Sequence, residues 1–126
     1  MSIFKAYDIR GIAGDELSPG LAYRIGYYLP ELLVTDHILV GRDVRLSSEE
    51  LTAELIRGIT EAGADVTDAG LTTTPMLYYA TGRDGFRGSV QVTASHNPAE
   101  YNGMKVSGEH ALPVGYEDGL GLLEVK

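Results

Sequence analysis

Apolar positions along this chain switch repeatedly between short continuous runs and helical spacing. Ile38-Leu39-Val40, ended by Gly41, is a continuous run and predicts a buried strand. From Ser47 to Ala62 the period changes. Leu51, Leu55 and Ile59 recur on one helical face, and Ser47 and Glu50 have the S-x-x-E spacing of a capping box. Gly63 stands where a helix C-terminal cap belongs. Ala64 to Ala69 predicts a second strand, closed by Gly70. Thr74-Pro75 predicts another helix, with threonine as cap and proline at the first helical position, stopping at Gly82. Ser89 to Thr93 predicts a third strand. Upstream, Ser18-Pro19 opens a helix whose apolar side holds Leu21, Ile25, Tyr28 and Leu29. Asn102-Gly103 is a turn signal, and Met104 to Val106 reads as a short strand. That strand follows Val92 too closely for a helical crossover, so an antiparallel pairing is expected. The tail from Ser107 is glycine-rich and acidic, and Leu120 to Val125 reads as a helix start or a frayed end.

Strands alternating with helices imply an α/β fold: three α/β/α layers, a mainly parallel sheet and a short antiparallel final strand. Residues 1–126 suit a single domain. The chain is 44% hydrophobic and 22% charged, which suits a packed core and excludes disorder as the default. It has no cysteine, so disulfide scaffolds and thiolate zinc sites are excluded. No apolar run has transmembrane length and no leader pattern is present, so a cytoplasmic protein without a membrane partner is expected. The net charge of −8 argues against nucleic acid as a partner. Most of the 16 glycines fall at the ends of apolar segments rather than in a linker.

In an acidic chain the few cations are informative. Lys5 and Arg10 flank Ala6-Tyr7-Asp8-Ile9; Arg42 and Arg45 follow the first apolar run; Lys105 follows Asn102-Gly103. All are expected in or beside loops, several at carboxyl ends of strands, where open α/β sheets bind ligands. A cationic pocket on an anionic surface suits a small anion such as a phosphate ester. Asp8 and Asp43 read as caps or ion-pair partners, His37 and His110 as surface residues, and Tyr27, Tyr28, Tyr78 and Tyr79 as core or helix-packing residues.

The sharpest feature is Thr93-Ala94-Ser95-His96-Asn97-Pro98, directly after the third strand. Ser95 is expected at the sheet edge, where backbone N–H groups can surround an attached phosphate. A serine hydrolase is disfavoured. The G-x-S-x-G elbow is absent, and side chains of neighbours in extended backbone, here His96 beside Ser95, point apart.

This segment resembles the phosphoserine loop of the α-D-phosphohexomutases. Lys5-Ala-Tyr-Asp-Ile-Arg-Gly11, Val40-Gly-Arg-Asp43 with Arg45 and Ser47, Asp68-Ala-Gly70 with Thr74-Pro75, and Tyr101-Asn-Gly-Met-Lys-Val106 are similar to further motifs of that family in the same order. Tyr7 resembles the phosphomannomutase/phosphoglucomutase branch; phosphoglucosamine mutases carry a Gly-Thr-Asp-Gly version there. The resemblance implies interconversion of hexose 1-phosphate and 6-phosphate through phosphorylated Ser95 and a hexose bisphosphate. It implies Lys105 as general acid/base, and Arg10 as a neutraliser of phosphate charge. It implies His96 as a candidate for a hydrogen bond to sugar or phosphate. Tyr7, Asn97 and Arg42 are substrate-binding candidates, with Asn97, Asn102 and Gly103 also shaping loops. It implies Mg²⁺, held in part through the Ser95 phosphate.

Members of the family have four domains, and the second supplies a D-x-D-x-D metal loop that this chain lacks; Asp65 and Asp68 have the wrong spacing. The chain therefore resembles domain I, with domains II–IV as its partners, and is expected to be inactive alone and not to hold Mg²⁺ stably. The rival expectation is a non-enzymatic α/β module that binds sugar phosphate or regulates.

Overall fold

The computed structural model describes residues 3–5, 8–94 and 97–124. Its five strands are β1 Ile9–Ile12, β2 His37–Arg42, β3 Asp65–Leu71, β4 Ser89–Val92 and β5 Tyr101–Ser107. They form one mixed sheet in the order β1-β5-β4-β2-β3. β2 is parallel to both β3 and β4, whereas β5 is antiparallel to β4 and to β1. The helices are α1 Pro19–Leu33, α2 Ser48–Glu61, α3 Thr74–Arg83 and a short α4 Gly121–Glu124.

Strand alternation decides the layers. Ile38 and Val40 of β2 share one face with Val90, Val92, Met104, Val106 and Ile9. This face packs on Ala22, Ile25 and Leu29 of α1 and on Leu51, Leu55 and Ile59 of α2. Each large apolar side chain fully buried there contributes about 1.5–3 kcal/mol. α1 and α2 also meet backbone to backbone, since a Cβ on Gly26 would overlap the Leu55 carbonyl oxygen and one on Gly58 that of Tyr23. α3 covers the opposite face through buried Leu77 and Thr81, and that layer is more polar. There the Gln91 side-chain amide donates to the Thr72 carbonyl at 2.8 Å. The expected three-layer α/β/α arrangement is therefore present.

Several local expectations need correction. α1 starts as predicted, with Ser18 Oγ accepting from the Leu21 N–H at 3.1 Å and Pro19 in the first turn. α3 starts one residue early: Thr73, not Thr74, is the cap, and its Oγ1 accepts from the Met76 N–H at 3.2 Å. That helix also runs through Gly82 to Arg83, because an exposed glycine weakens a helix by only about 1 kcal/mol and does not end it. The capping box of α2 does not form. Ser47 is already helical (φ −76°, ψ −14°), and its Oγ accepts from Asn102 Nδ2 at 2.8 Å instead. A tertiary partner has displaced the local one.

Asn102-Gly103 is not a turn; both residues lie buried inside β5. The chain reverses upstream, where the Asn97 N–H donates to the Ala94 carbonyl and the Tyr101 N–H to the Pro98 carbonyl. β1 is a strand where only a cation-flanked segment was expected, and it closes one edge of the sheet against β5. β3 forms the other edge and is mostly exposed. Of the two readings of the tail the helix start holds: α4 covers Gly121–Glu124, and Leu120 and Leu123 belong to the core. Tyr27 and Tyr79 are 42% and 65% exposed, so they lie outside the core. Tyr27 is edge-on to Tyr28, and the Arg83 guanidinium lies over the Tyr79 ring. His37 and His110 are on the surface as expected. Among the described residues no helix is long and apolar enough to cross a membrane.

Candidate functional site

From β2 the chain turns through α2 to β3, and from β4 it turns the other way to β5. Connections leaving two adjacent parallel strands in opposite directions open a crevice at their carboxyl ends. Here that crevice lies between the segment after β2, from Asp43, and the segment after β4, from Thr93. An open cleft runs along this edge, lined in part by Arg42, Val44, Leu71, Met76 and Gln91. A second one adjoins it, with Asp43, Val44 and Thr93 shared and Asn97 and Ala99 on its far side.

Two side chains of the post-β2 segment grip the post-β4 segment. Asp43 Oδ2 accepts from Thr93 Oγ1 at 2.7 Å, and Asp43 Oδ1 accepts from Ser48 Oγ and from the Arg45 N–H. The Asp43 N–H itself donates to the Val92 carbonyl at 3.1 Å. Arg45 then spans the crevice. Its Nη1 donates to the carbonyls of Pro98 at 2.7 Å and Tyr101 at 3.1 Å, and its Nη2 to that of Asn97 at 2.8 Å. Its Nε lies 3.3 Å from Asp43 Oδ2, and the Arg45 side chain is only 14% exposed. A largely buried ion pair whose guanidinium also donates to three carbonyls holds its geometry far better than an exposed one. The 93–101 segment is thus tied down near its start by Asp43 and at its end by Arg45. Asn102 adds a third tie, with Nδ2 donating to both Ser47 Oγ and Ser48 Oγ at 2.8 and 3.0 Å.

Ser95, His96 and Tyr7 lie outside the described residues. Of the other candidates, Arg10 and Lys105 are brought together. Arg10 opposes Gly103 in the β1–β5 register, and Lys105 is two residues further along β5, so both lie on the same face of the sheet. Neither is in a loop, contrary to expectation: Arg10 is inside β1 and Lys105 inside β5, opposite Gln91. The Arg10 side chain is 39% exposed, with Nε 3.8 Å from Asp8 Oδ1. Gly103 permits this approach of β1 to β5, because a Cβ there would overlap the Ile9 carbonyl oxygen. Arg42 ends β2 and lines the cleft, separated from Arg10 and Lys105 by β4. Asn97 uses its side-chain amide within its own turn, donating to the Ala94 carbonyl at 2.7 Å. Asp43 is an ion-pair partner, as expected.

Sequence reasoning undervalued Arg45 and Ser48. Asp43-x-Arg45 after a strand does signal the local turn in which the aspartate accepts from the N–H two residues on. The carbonyls that Arg45 reaches are 52 to 56 residues away in sequence, and no local pattern announces them. Among the described residues no group of three or more His, Cys, Asp or Glu side chains is placed to hold a metal ion.

The chain matches the family model described as phosphoglucomutase/phosphomannomutase, alpha/beta/alpha domain I, over residues 1–121. It is 51% identical over 120 residues to a phosphomannomutase of Klebsiella pneumoniae, covering 95% of this chain and 76% of that protein. It is also 51% identical over 120 residues to a phosphomannomutase of Escherichia coli, of which it spans 26%. A solved phosphoglucomutase/phosphomannomutase family protein from Burkholderia thailandensis superposes on 82% of this chain and 25% of its own, with 42% identity and a TM-score of 0.74.

Proposed function

The chain belongs to the phosphoglucomutase/phosphomannomutase family as its α/β/α domain I, and on that premise we propose that it carries the phosphoserine half of a hexose-phosphate mutase site. Ser95 is the phosphoryl carrier. In the forward half-reaction the bond from phosphorus to Ser95 Oγ breaks as one forms to a hydroxyl oxygen of a hexose monophosphate. The hydroxyl proton passes to Lys105, Ser95 Oγ departs as the alkoxide that accepts the phosphoryl group in the second half-reaction, and the product is a hexose bisphosphate. In the second half-reaction the other phosphate returns to Ser95, and Lys105 gives the proton back to the sugar oxygen. Mannose and glucose phosphates are the substrates.

Phosphoryl transfer needs placement and charge neutralisation more than covalent chemistry. Arg10 faces the phosphate charge, which is about −1.5 to −2 on a phosphoserine. His96 and Tyr7 contact phosphate and sugar, and Arg42 and Asn97 border the crevice that receives them. The observation that carries the reading is the double tie on the 93–101 segment, which fixes both flanks of Ser95 against the carboxyl edge of the sheet. The shared face of Arg10 and Lys105 supports it.

The chain spans about a quarter of the Escherichia coli and Burkholderia proteins, 26% and 25%. That share supports our placing of domains II–IV of a longer protein as the completion of the proposed site; the proposed location is the cytoplasm. The family implies a metal, here Mg²⁺, which would neutralise charge on the transferring phosphate. Among the described residues no group of three or more His, Cys, Asp or Glu is placed to hold it; we assign its ligands beyond the Ser95 phosphate to the other domains, as the family resemblance implies, and no step above runs through it. The test is conversion of mannose or glucose 1-phosphate to 6-phosphate by the full-length protein that carries these residues, beside the 126-residue chain alone. Turnover by the former that disappears in Ser95→Ala is expected, with none from the latter. Undiminished turnover in Ser95→Ala refutes the reading.

A further inference from the structure

We propose that Arg45 is a positioning residue for phosphoryl transfer, setting the geometry of Ser95 without touching substrate; the inference rests on Ser95 being the phosphoryl carrier. Three consecutive donations from one guanidinium, to the Asn97, Pro98 and Tyr101 carbonyls, draw the end of the serine segment onto the post-β2 segment. The same guanidinium leans on Asp43, which holds Thr93 at the other end. The result is one connected path, Thr93–Asp43–Arg45–Asn97/Pro98/Tyr101, that ties Thr93 on one side of the Ser95-His96 pair in sequence to Asn97, Pro98 and Tyr101 on the other.

Only arginine fits this task. Its planar fork presents several N–H donors in fixed directions, whereas a lysine ammonium is a point charge with no such fork. The described donations go to main-chain oxygens, and Nε lies against Asp43, a pattern that points to shaping rather than to binding anions. With the fork removed, those carbonyls turn to water and the segment samples other conformations. A displacement of about 1 Å at a reacting group lowers the rate about a hundredfold. Ground-state binding, which depends on the other contacts to the sugar phosphate, changes little.

The test uses the full-length protein with Arg45→Met, which removes the donors, and Arg45→Lys, which keeps the charge. The expected result in both is a kcat lower by about a hundredfold with KM within about threefold. Amide hydrogen exchange gives the independent readout. The Asn97 and Tyr101 N–H groups are bonded inside the segment, to Ala94 and Pro98. Their exchange should accelerate about tenfold in both variants while the α2 amides stay protected. Lysine restoring kcat overturns the inference, because charge alone would then suffice. Lost activity with unaltered exchange at Asn97 and Tyr101 also overturns it, because Arg45 would then act on substrate. Unaltered kcat in both variants does so as well. If the unsubstituted protein converts no hexose phosphate, the mutase reading itself fails, which is a distinct outcome.

Discussion

Gly103→Ala probes the contact that joins the two cationic strands. Gly103 sits on β5 opposite Arg10 of β1, and its carbonyl accepts from the Thr93 N–H at 2.9 Å. An added methyl would overlap the Ile9 carbonyl oxygen and come to 3.1 Å from the Thr93 oxygen and 3.2 Å from the Arg10 Cα. All of these are main-chain atoms, so no side-chain rotation relieves the overlap and β1 must withdraw. Overpacking of this kind costs about 1–3 kcal/mol, and the main-chain nature of the clash places this case near 3. For a domain of this size that lowers Tm by roughly 10 °C. The measurement is urea and thermal unfolding followed by circular dichroism. Gly82→Ala is the control: Gly82 lies in α3 with no atom near its absent Cβ. That change should stabilise by about 0.5 kcal/mol. A Gly103→Ala protein within about 0.5 kcal/mol of the parent, the range of an uninvolved surface change, would refute the argued closeness of β1 and β5.

Three further outcomes follow from named groups. Val34 closes α1 in the left-handed conformation with φ 52°, where a β-branched residue costs about 1–2 kcal/mol; Val34→Gly should raise stability by about 0.5 kcal/mol after its entropy cost, measured by urea unfolding. Asp43→Ala removes at once the acceptor of the Thr93 and Ser48 hydroxyls and the charge partner of Arg45, and should cost about 3 kcal/mol in the same assay. On the outer face of α2, Glu61 is held below its ordinary value of 4.5 first by the Tyr23 hydroxyl and then by Arg57, and Glu54 by Arg57. Folded values below unfolded ones mean stability that is present above about pH 4.5 and lost as the pH falls through the folded values. The Glu54→Gln/Glu61→Gln double variant should therefore show a shallower acid limb of stability in thermal melts between pH 5 and 2, and an unchanged limb would contradict the pairing.

Much of the architecture was legible because it rests on local signals. Ile38-Leu39-Val40 and the Leu51, Leu55, Ile59 stripe announce themselves by period, and Ser18-Pro19 by cap chemistry. What escaped was settled by partners distant in sequence. Ser47 looks like a cap until Asn102 takes its hydroxyl. Asn102-Gly103 looks like a turn, yet the glycine is needed for the approach of β1, a strand too short to show a period of its own. The candidate site divides in the same way. The serine segment and its flanking cations stand out as motifs. The grip of Arg45 on three carbonyls is a property of the folded crevice, visible only once β2 and β4 lie side by side.

The central claim is that Ser95 carries the phosphate. Intact-mass spectrometry of the full-length protein after incubation with a hexose bisphosphate, followed by peptide mapping, tests it most directly. A mass gain of one phosphate is expected at Ser95, absent in Ser95→Ala and removed by added hexose monophosphate. A protein that gains no phosphate, or gains it at another residue with Ser95 unmodified, contradicts it.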